Sequence, residues 1–466
     1  MARELWQLGA GELAELIGSG ATSSREVVSS HLERIAAVNH QINAIVEVRP
    51  EEVLREADAA DARRARGEAL GPLHGVPVTV KTNIDVAGYA TTEGSSALAE
   101  RRADLDAPAV ERVRAAGGVV LARTNMPDLG LRVNTESSLY GPTHNPWRHG
   151  VTAGGSSGGE AAAIASGMSP LGLGNDIGGS LRNPAYACGI ASIKPSRGRV
   201  PMASVTDPTL RPINSQVMVA EGVLARRVDD VRRGLRVVMG SHPRDPQAVD
   251  VPLEGPARPR RVALVPTPSG GSTDPAVAEG VRTAGRALEA AGYQVDEVEP
   301  PKLFDALFAW SELMMTSLKV ATPLILPVIG EDGRRFLELS TVEFPDHAEA
   351  LYAMHQTRFA VETAWRAFME EYPLIVGPTW TQPPFPHGFD IRDVESALAV
   401  AEMFRFVLPA NLMGLPAACV PTGVANGLPV GAQIIGLMYR DDLCLDAAEV
   451  VERAVGPLTP IDPRPS

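Results

Sequence analysis

Apolar residues recur at helical spacing within the first forty positions. Leu13, Leu16 and Ile17 form one stripe, and Val27, Val28, Leu32 and Ile35 form another. Thr22-Ser23-Ser24 lies between them and offers caps for the second helix. A short strand is predicted over 46–48 and a polar, alanine-rich helix over 51–66. The run Gly75-Val76-Pro77-Val78-Thr79-Val80-Lys81 is apolar and β-branched, which reads as a buried strand. A helix over 107–116 and a strand over 119–122 follow. Further along, strands at 262–265, 293–298, 374–377, 417–420 and 430–435 accompany helices at 274–291 and 443–455. Such alternation predicts an α/β fold with a mixed, largely parallel sheet. The stretch 303–371 reads as mostly helical and carries Phe304, Phe308, Trp310, Met314, Met315, Phe359 and Trp365. These side chains suit core packing, or else a pocket wall or cap.

Composition narrows the class. A chain of 466 residues gives roughly three domains by length, although large α/β enzymes often form one unit. The proline-rich stretches 251–269 and 378–388 read as loops, not linkers. No run of 18 apolar residues predicts a membrane span. The opening Met1-Ala2-Arg3-Glu4-Leu5-Trp6 has neither region of a signal peptide. Three cysteines (Cys188, Cys419 and Cys444) without a CxxC argue against a disulfide framework and a zinc cluster, and a cytoplasmic site fits. The net charge of −13 speaks against nucleic acid or an anionic membrane as general partners. A homodimer is left open. Against 39 arginines there are only four lysines, Lys81, Lys194, Lys302 and Lys319, so each one raises a question.

The segment Thr152-Ala153-Gly154-Gly155-Ser156-Ser157-Gly158-Gly159-Glu160 runs straight into an alanine-rich helical pattern. Glycines at a helix N-terminus let backbone N–H groups approach a ligand or side chains closely. A phosphate loop would need GxxxxGK[ST], and no lysine follows here. Gly155-Ser156-Ser157-Gly158-Gly159 formally fits the GxSxG elbow of α/β-hydrolases. However, 149–153 makes a poor strand, and none of His347, His355 and His387 stands out as a partner. An SxxK motif is absent, and a plain structural turn stays open. A second segment, Leu173-Gly174-Asn175-Asp176-Ile177-Gly178-Gly179-Ser180-Leu181-Arg182, places Ser180 after two glycines. Successive N–H groups of Ile177, Gly178, Gly179 and Ser180 can form an anion nest, which suits a serine nucleophile and its oxyanion. Asp176 and Arg182 can pair across this loop. For a base, Lys81 ends a strand of valines, where burial lowers an ammonium pKa, and arginine cannot deprotonate in its place. Taken alone, Lys81 reads more readily as a lysine reaching outward from a strand end.

These segments resemble the amidase signature family. The match runs from Gly75 through Lys81 to Gly88, then covers Arg123-Thr124-Asn125-Met126-Pro127, Asn145-Pro146-Trp147 and Gly154 to Arg199. It returns at Asn411-Leu412-Met413-Gly414-Leu415-Pro416 and Gly427-Leu428-Pro429-Val430-Gly431-Ala432-Gln433. The resemblance implies one domain over 1–466, with helices on both faces of the sheet. It also implies a divergent, mainly helical region at about 303–390 that lines or caps the pocket.

The implied catalytic set is a Ser–cisSer–Lys triad. Lys81 is the base, Ser156 the bridging serine after a cis Gly155–Ser156 peptide, and Ser180 the nucleophile. Ile177, Gly178, Gly179 and Ser180 supply the oxyanion N–H groups, and Ser157, Asp176 and Arg182 support them. Ser157 fits equally as a helix cap, and Lys194 as a structural residue. The chain departs from the common pattern at Thr82, Asn175, Ser192 and Ser196. The implied reaction passes through an acyl-enzyme and uses no cofactor and no metal. Its implied substrate is a small amide, carbamate or ester, apolar or aryl given the residues of 203–222 and 303–390. Alternatives are a urethanase and the ammonia-releasing component of a tRNA-dependent amidotransferase, the latter disfavoured by the segment after Pro201. A lysine base predicts a basic optimum, about pH 8 to 10.

Overall fold

The computed structural model describes residues 3–206, 212–341, 343–345 and 347–464. Residues 207–211, 342 and 346, which fall in the stretches read above as pocket lining, lie outside the described residues, as do 1–2 and 465–466. The helix pair at the start of the chain is Ala10–Ser19 and Ser24–Ile42. Ser23 begins the second helix through a reciprocal cap: its hydroxyl accepts from the Glu26 N–H at 3.1 Å, and the Glu26 carboxylate accepts from the Ser23 N–H at 2.8 Å.

Eleven strands among the described residues build one sheet. In chain order they are β1 (Ile45–Val48), β2 (Pro77–Lys81), β3 (Val119–Thr124), β4 (Leu171–Asp176), β5 (Ala191–Lys194), β6 (Ala220–Ala225), β7 (Arg261–Leu264), β8 (Gln294–Glu297), β9 (Leu374–Pro378), β10 (Ala417–Ala425) and β11 (Leu428–Gly436). Their spatial order is β1-β3-β2-β4-β6-β5-β10-β11-β9-β7-β8. The sheet is mixed, but the expectation of a largely parallel one is corrected. Only β2/β3, β2/β4, β7/β9 and β7/β8 run parallel, and the other six neighbouring pairs run antiparallel. One reason is a hairpin: β10 and β11 are joined by Asn426-Gly427, whose φ values of 51° and 78° match the tight turn that right-twisted strands favour.

β4, β5 and β6 are additions to the strands predicted above. The first two lie in the glycine- and serine-rich stretch, whose composition hides them. Helices cover both faces. Ala10–Ser19, Pro108–Ala115, Val228–Val238, Pro275–Ala290 and Asp441–Val455 pack on one face, through residues such as Leu13, Val110, Leu235, Val281 and Leu445. The other face carries Gly158–Ala165, Arg182–Cys188, Leu303–Ile325 and Ala348–Glu371. Within 303–371, Trp310 and Trp365 are buried, whereas Phe304 and Phe359 are 68% and 70% exposed, so core packing accounts for part of the set only. No helix among the described residues is long and apolar enough to cross a membrane.

Candidate active site

Strand parity decides where the lysine points. Val78 and Val80 join the core on one face of the sheet, so Thr79 and Lys81 face the other. The helix Gly158–Ala165 lies there, and Glu160 in its first turn accepts hydrogen bonds from the hydroxyls of Thr79 and, at 2.6 Å, Thr124. Burial pushes the Glu160 carboxyl up to about 7 against those hydrogen bonds. β4 makes room for the helix by alternation. Leu171 and Leu173 enter the opposite core, while a Cβ on Gly172 would run into Glu160 Oε1 and one on Gly174 would meet Ser157 Oγ at 2.9 Å.

Lys81 is completely buried. Its Nζ donates to Ser156 Oγ at 2.6 Å and to Asn175 Oδ1 at 2.9 Å. Burial pushes its ammonium down to about 7, although Asp176, Glu160, Glu93 and Glu221 pull the other way. Much of the lysine is therefore neutral near neutral pH and able to take a proton. Ser156 follows a cis peptide from Gly155. The strand Arg148–Thr152 leads into this loop, which corrects the expectation of a poor strand at 149–153. It pairs with His144–Asn145, is bridged through Val151 to Pro386, and stands outside the central sheet.

Ser180 lies in the loop after β4 and is 7% exposed. The four-donor nest predicted there is reduced to three. The Gly179 N–H donates to Asp176 Oδ1 at 2.7 Å, whereas no acceptor for the Ile177, Gly178 or Ser180 N–H occurs among the described residues. Asp176 also accepts from the Leu181 N–H at 3.1 Å and pairs with Arg182 at 3.1 Å, both side chains fully buried. Burial favours a raised Asp176 pKa, but the Arg182 guanidinium prevails and holds the carboxyl well below the usual range. Arg182 further donates to Asn411 Oδ1 at 2.5 Å and Gln433 Oε1 at 2.8 Å, and Asn411 Nδ2 returns to Asp176 Oδ1 at 2.8 Å. The loop is thus clamped from beneath by a closed polar network.

Lys81 and Ser156 are in direct contact; no hydrogen bond joins Ser180 to Ser156 among the described residues. Ser157 occupies the N-cap position of Gly158–Ala165, yet its hydroxyl makes no capping bond and is buried without a partner. No histidine among the described residues hydrogen-bonds to either serine. His387 instead faces His144 at 3.1 Å and Asn134 at 2.9 Å.

The contacts of Glu160, Asn175, Asn411 and Gln433 were not legible in the motifs. Parity along β2, which aligns Thr79 with Lys81, and the place of Asn411 and Gln433 in the segments that carry the resemblance were the available signals. An apolar wall adjoins the site as well. A Cβ on Gly130 would lie 3.2 Å from Ser156 Oγ. The flanking Leu129 and Leu131 pack with Met314, Met315 and Leu318 of the helix Leu303–Ile325.

Comparison with known proteins agrees with this arrangement. The sequence matches the family described as Amidase over residues 26–445. It is 40% identical to the indoleacetamide hydrolase of Bradyrhizobium diazoefficiens over 464 residues, 97% of this chain and 88% of that one. It is 34% identical to a glutamyl-tRNA(Gln) amidotransferase component of Salinispora arenicola, covering 98% and 99% of the two chains. A bacterial aryl acylamidase of the amidase signature enzymes superimposes with a TM-score of 0.84 at 26% identity, over 98% of this chain and 97% of that one. The protein belongs to the amidase signature family and is an amide-cleaving hydrolase.

Proposed function

We propose that this chain hydrolyses the C–N bond of small apolar or aryl amides through an acyl-enzyme on Ser180. The observation that carries the reading is the 2.6 Å hydrogen bond between the buried Lys81 amine and Ser156 Oγ. Neutral Lys81 takes the proton of Ser156 while Ser156 takes that of Ser180, so the Ser180 oxygen attacks the carbonyl as its proton leaves. This relay requires a hydrogen bond from Ser180 to Ser156 in the substrate complex. Negative charge developing on the carbonyl oxygen is met by the unengaged N–H groups of Ile177, Gly178 and Ser180. The relay then runs backward, protonates the leaving nitrogen and releases the amine. Water repeats the attack on the ester and frees the acid.

The preference for an apolar acyl group rests on Leu129 and Leu131, which flank Gly130 next to Ser156 and share an apolar cluster with Met314 and Met315. It is also in keeping with relatives named for indoleacetamide and aryl amide substrates. The region 303–390 takes the part of pocket wall within a single domain. Carbamates and esters present the same carbonyl to the same donors, so slower turnover of both is part of the reading, and urethanase activity is its carbamate arm. Three free, buried cysteines suit a cytoplasmic setting.

A second reading, ammonia release from glutamine for a partner protein, draws on the full-length similarity to a glutamyl-tRNA(Gln) amidotransferase component. The purified chain alone, assayed on aryl amides, aliphatic amides, carbamates, esters and glutamine, separates the two. Release of p-nitroaniline from an anilide, lost in Ser180→Ala with the fold intact, is expected. Turnover of glutamine alone would replace the first reading with the second.

A further inference from the structure

We propose that Trp310 is a positioning residue that aims the Gly178 N–H at the oxyanion. This rests on the reading of the Ser180 loop given above. Trp310 belongs to the helix Leu303–Ile325, outside every segment that carries the resemblance to the family. Its indole Nε1–H donates to the Ile177 carbonyl at 2.9 Å. That carbonyl and the Gly178 N–H are the two ends of one peptide unit. The unit is trans, since the cis bonds among the described residues are Gly155–Ser156 and Thr459–Pro460. In a planar trans unit the C=O and N–H point in opposite directions. Drawing the carbonyl toward the indole therefore aims the N–H away from it, and that N–H has no acceptor among the described residues.

A second contact fixes the same unit. The indole ring lies so close over Gly178 that a Cβ there would meet Cζ2 at 2.7 Å and Cη2 at 3.1 Å. Gly178 is not among the residues with positive φ, so glycine at this position answers to the approach of the ring and not to a backbone conformation. Trp310 is 6% exposed and packs with Ile177 in one apolar cluster. The neighbouring unit is anchored differently, by the Gly179 N–H on Asp176. The loop thus has two holds. Asp176 fixes the peptide from Gly178 to Gly179, and Trp310 fixes the one from Ile177 to Gly178. Without Trp310 a peptide preceding glycine rotates readily, and the donor turns away from the carbonyl oxygen. The indole bond also polarises the peptide, which strengthens its N–H as a donor.

The test uses the full chain with Trp310→Phe, and with the tryptophan analogue benzothienylalanine at 310, which keeps the bicyclic shape and replaces the N–H by sulfur. Three quantities are measured: kcat and KM on an anilide, affinity for an aryl trifluoromethyl ketone whose adduct places an oxyanion in the site, and labelling of Ser180 by a fluorophosphonate. Removing one oxyanion donor costs about 10²–10³ in kcat, and a misaimed donor is expected to cost about 10–100-fold. Both variants should lose kcat and ketone affinity by the same factor. KM should stay within about twofold of wild type, and the ascending limb of the pH profile should not move. Wild-type kcat and ketone affinity in both variants would overturn the inference and leave the triad standing. Equal losses in kcat and in KM with a lowered Tm would reduce Trp310 to packing and overturn it too. If wild-type Ser180 takes no label, the triad reading falls first and this inference with it.

Discussion

Two lysines end strands of the same sheet, Lys81 on β2 and Lys194 on β5, and both are completely buried. Burial pushes each ammonium down to about 7. The surroundings differ in what each amine reaches. Lys81 Nζ reaches a serine hydroxyl, whereas Lys194 Nζ donates to the Pro195 carbonyl at 3.0 Å. A carbonyl oxygen has no proton to give. Arg182 adds to the lowering of Lys194, while Asp176 and Asp441 oppose it, so this lysine sits at the margin of the network that clamps the Ser180 loop. A depressed pKa records burial; catalysis needs an exchangeable proton within reach as well.

The contrast breaks most visibly by mutation. Lys81→Arg keeps a cation and cannot serve as a base, so kcat on an anilide should fall by about 10²–10⁴, as far as in Lys81→Ala. Lys194→Met should keep kcat within a few-fold. Loss of activity in Lys194→Met comparable to that in Lys81→Arg would erase the distinction. A smaller effect is expected at the bridge. Ser156→Ala should lower kcat strongly yet leave measurable slow acylation, read as a pre-steady-state burst, because water can stand in for one hydroxyl. Activity equal to wild type would remove Ser156 from the relay.

The pH profile sharpens the comparison further. A base must be neutral, so kcat should rise through about pH 7, where Lys81 loses its proton, and level off above. The plateau then covers the basic range, about pH 8 to 10, expected from a lysine whose pKa burial lowers. The rising limb lies where a histidine titrates, so the profile has to be read together with Lys81→Arg. Lys194→Met should leave the limb in place.

The smallest effect concerns stability. Lys194 titrates near 7 in the folded chain and at an ordinary 10.5 when unfolded. Between those values the unfolded chain binds more protons, so stability rises with pH across the window and this contribution is gone below about 7. Lys194→Met should flatten that rise while retaining most of the packing, measured as denaturant midpoints at pH 6 and pH 9. An unchanged slope would show that Lys194 is not titrating in the window.

The reaction class was legible because its chemistry is concentrated in short segments. Gly155 to Gly159 and Asp176 to Ser180 carry loops whose backbone must come close to other groups, and such loops tolerate few residue types. Lys81 stood out against 39 arginines. Local patterning likewise determined the paired helices at the start of the chain, through the Ser23–Glu26 cap, and the apolar run of β2. The Asn426-Gly427 hairpin was present in the sequence as well, as a two-residue signal between two predicted strands.

Sheet order, strand direction and the partners of each buried polar group were decided by tertiary structure. β4 and β5 hide in glycine-rich sequence because their meaning is relational. Gly172 and Gly174 are small because Glu160 and Ser157 approach them from a helix that precedes the strand in the chain. Gly178 is small because of a tryptophan more than a hundred residues away in the chain. Lys81 and Lys194 look alike as letters at strand ends, and both lose their solvent. Only the packing of the Gly158–Ala165 helix and its preceding loop onto β2 sets a hydroxyl against one of them. The sequence by itself determined which chemical groups the chain carries and the local turns that present them. Which of those groups meet was decided by long-range packing, because a hydrogen bond such as Lys81 to Ser156 spans 75 positions and no local periodicity encodes it.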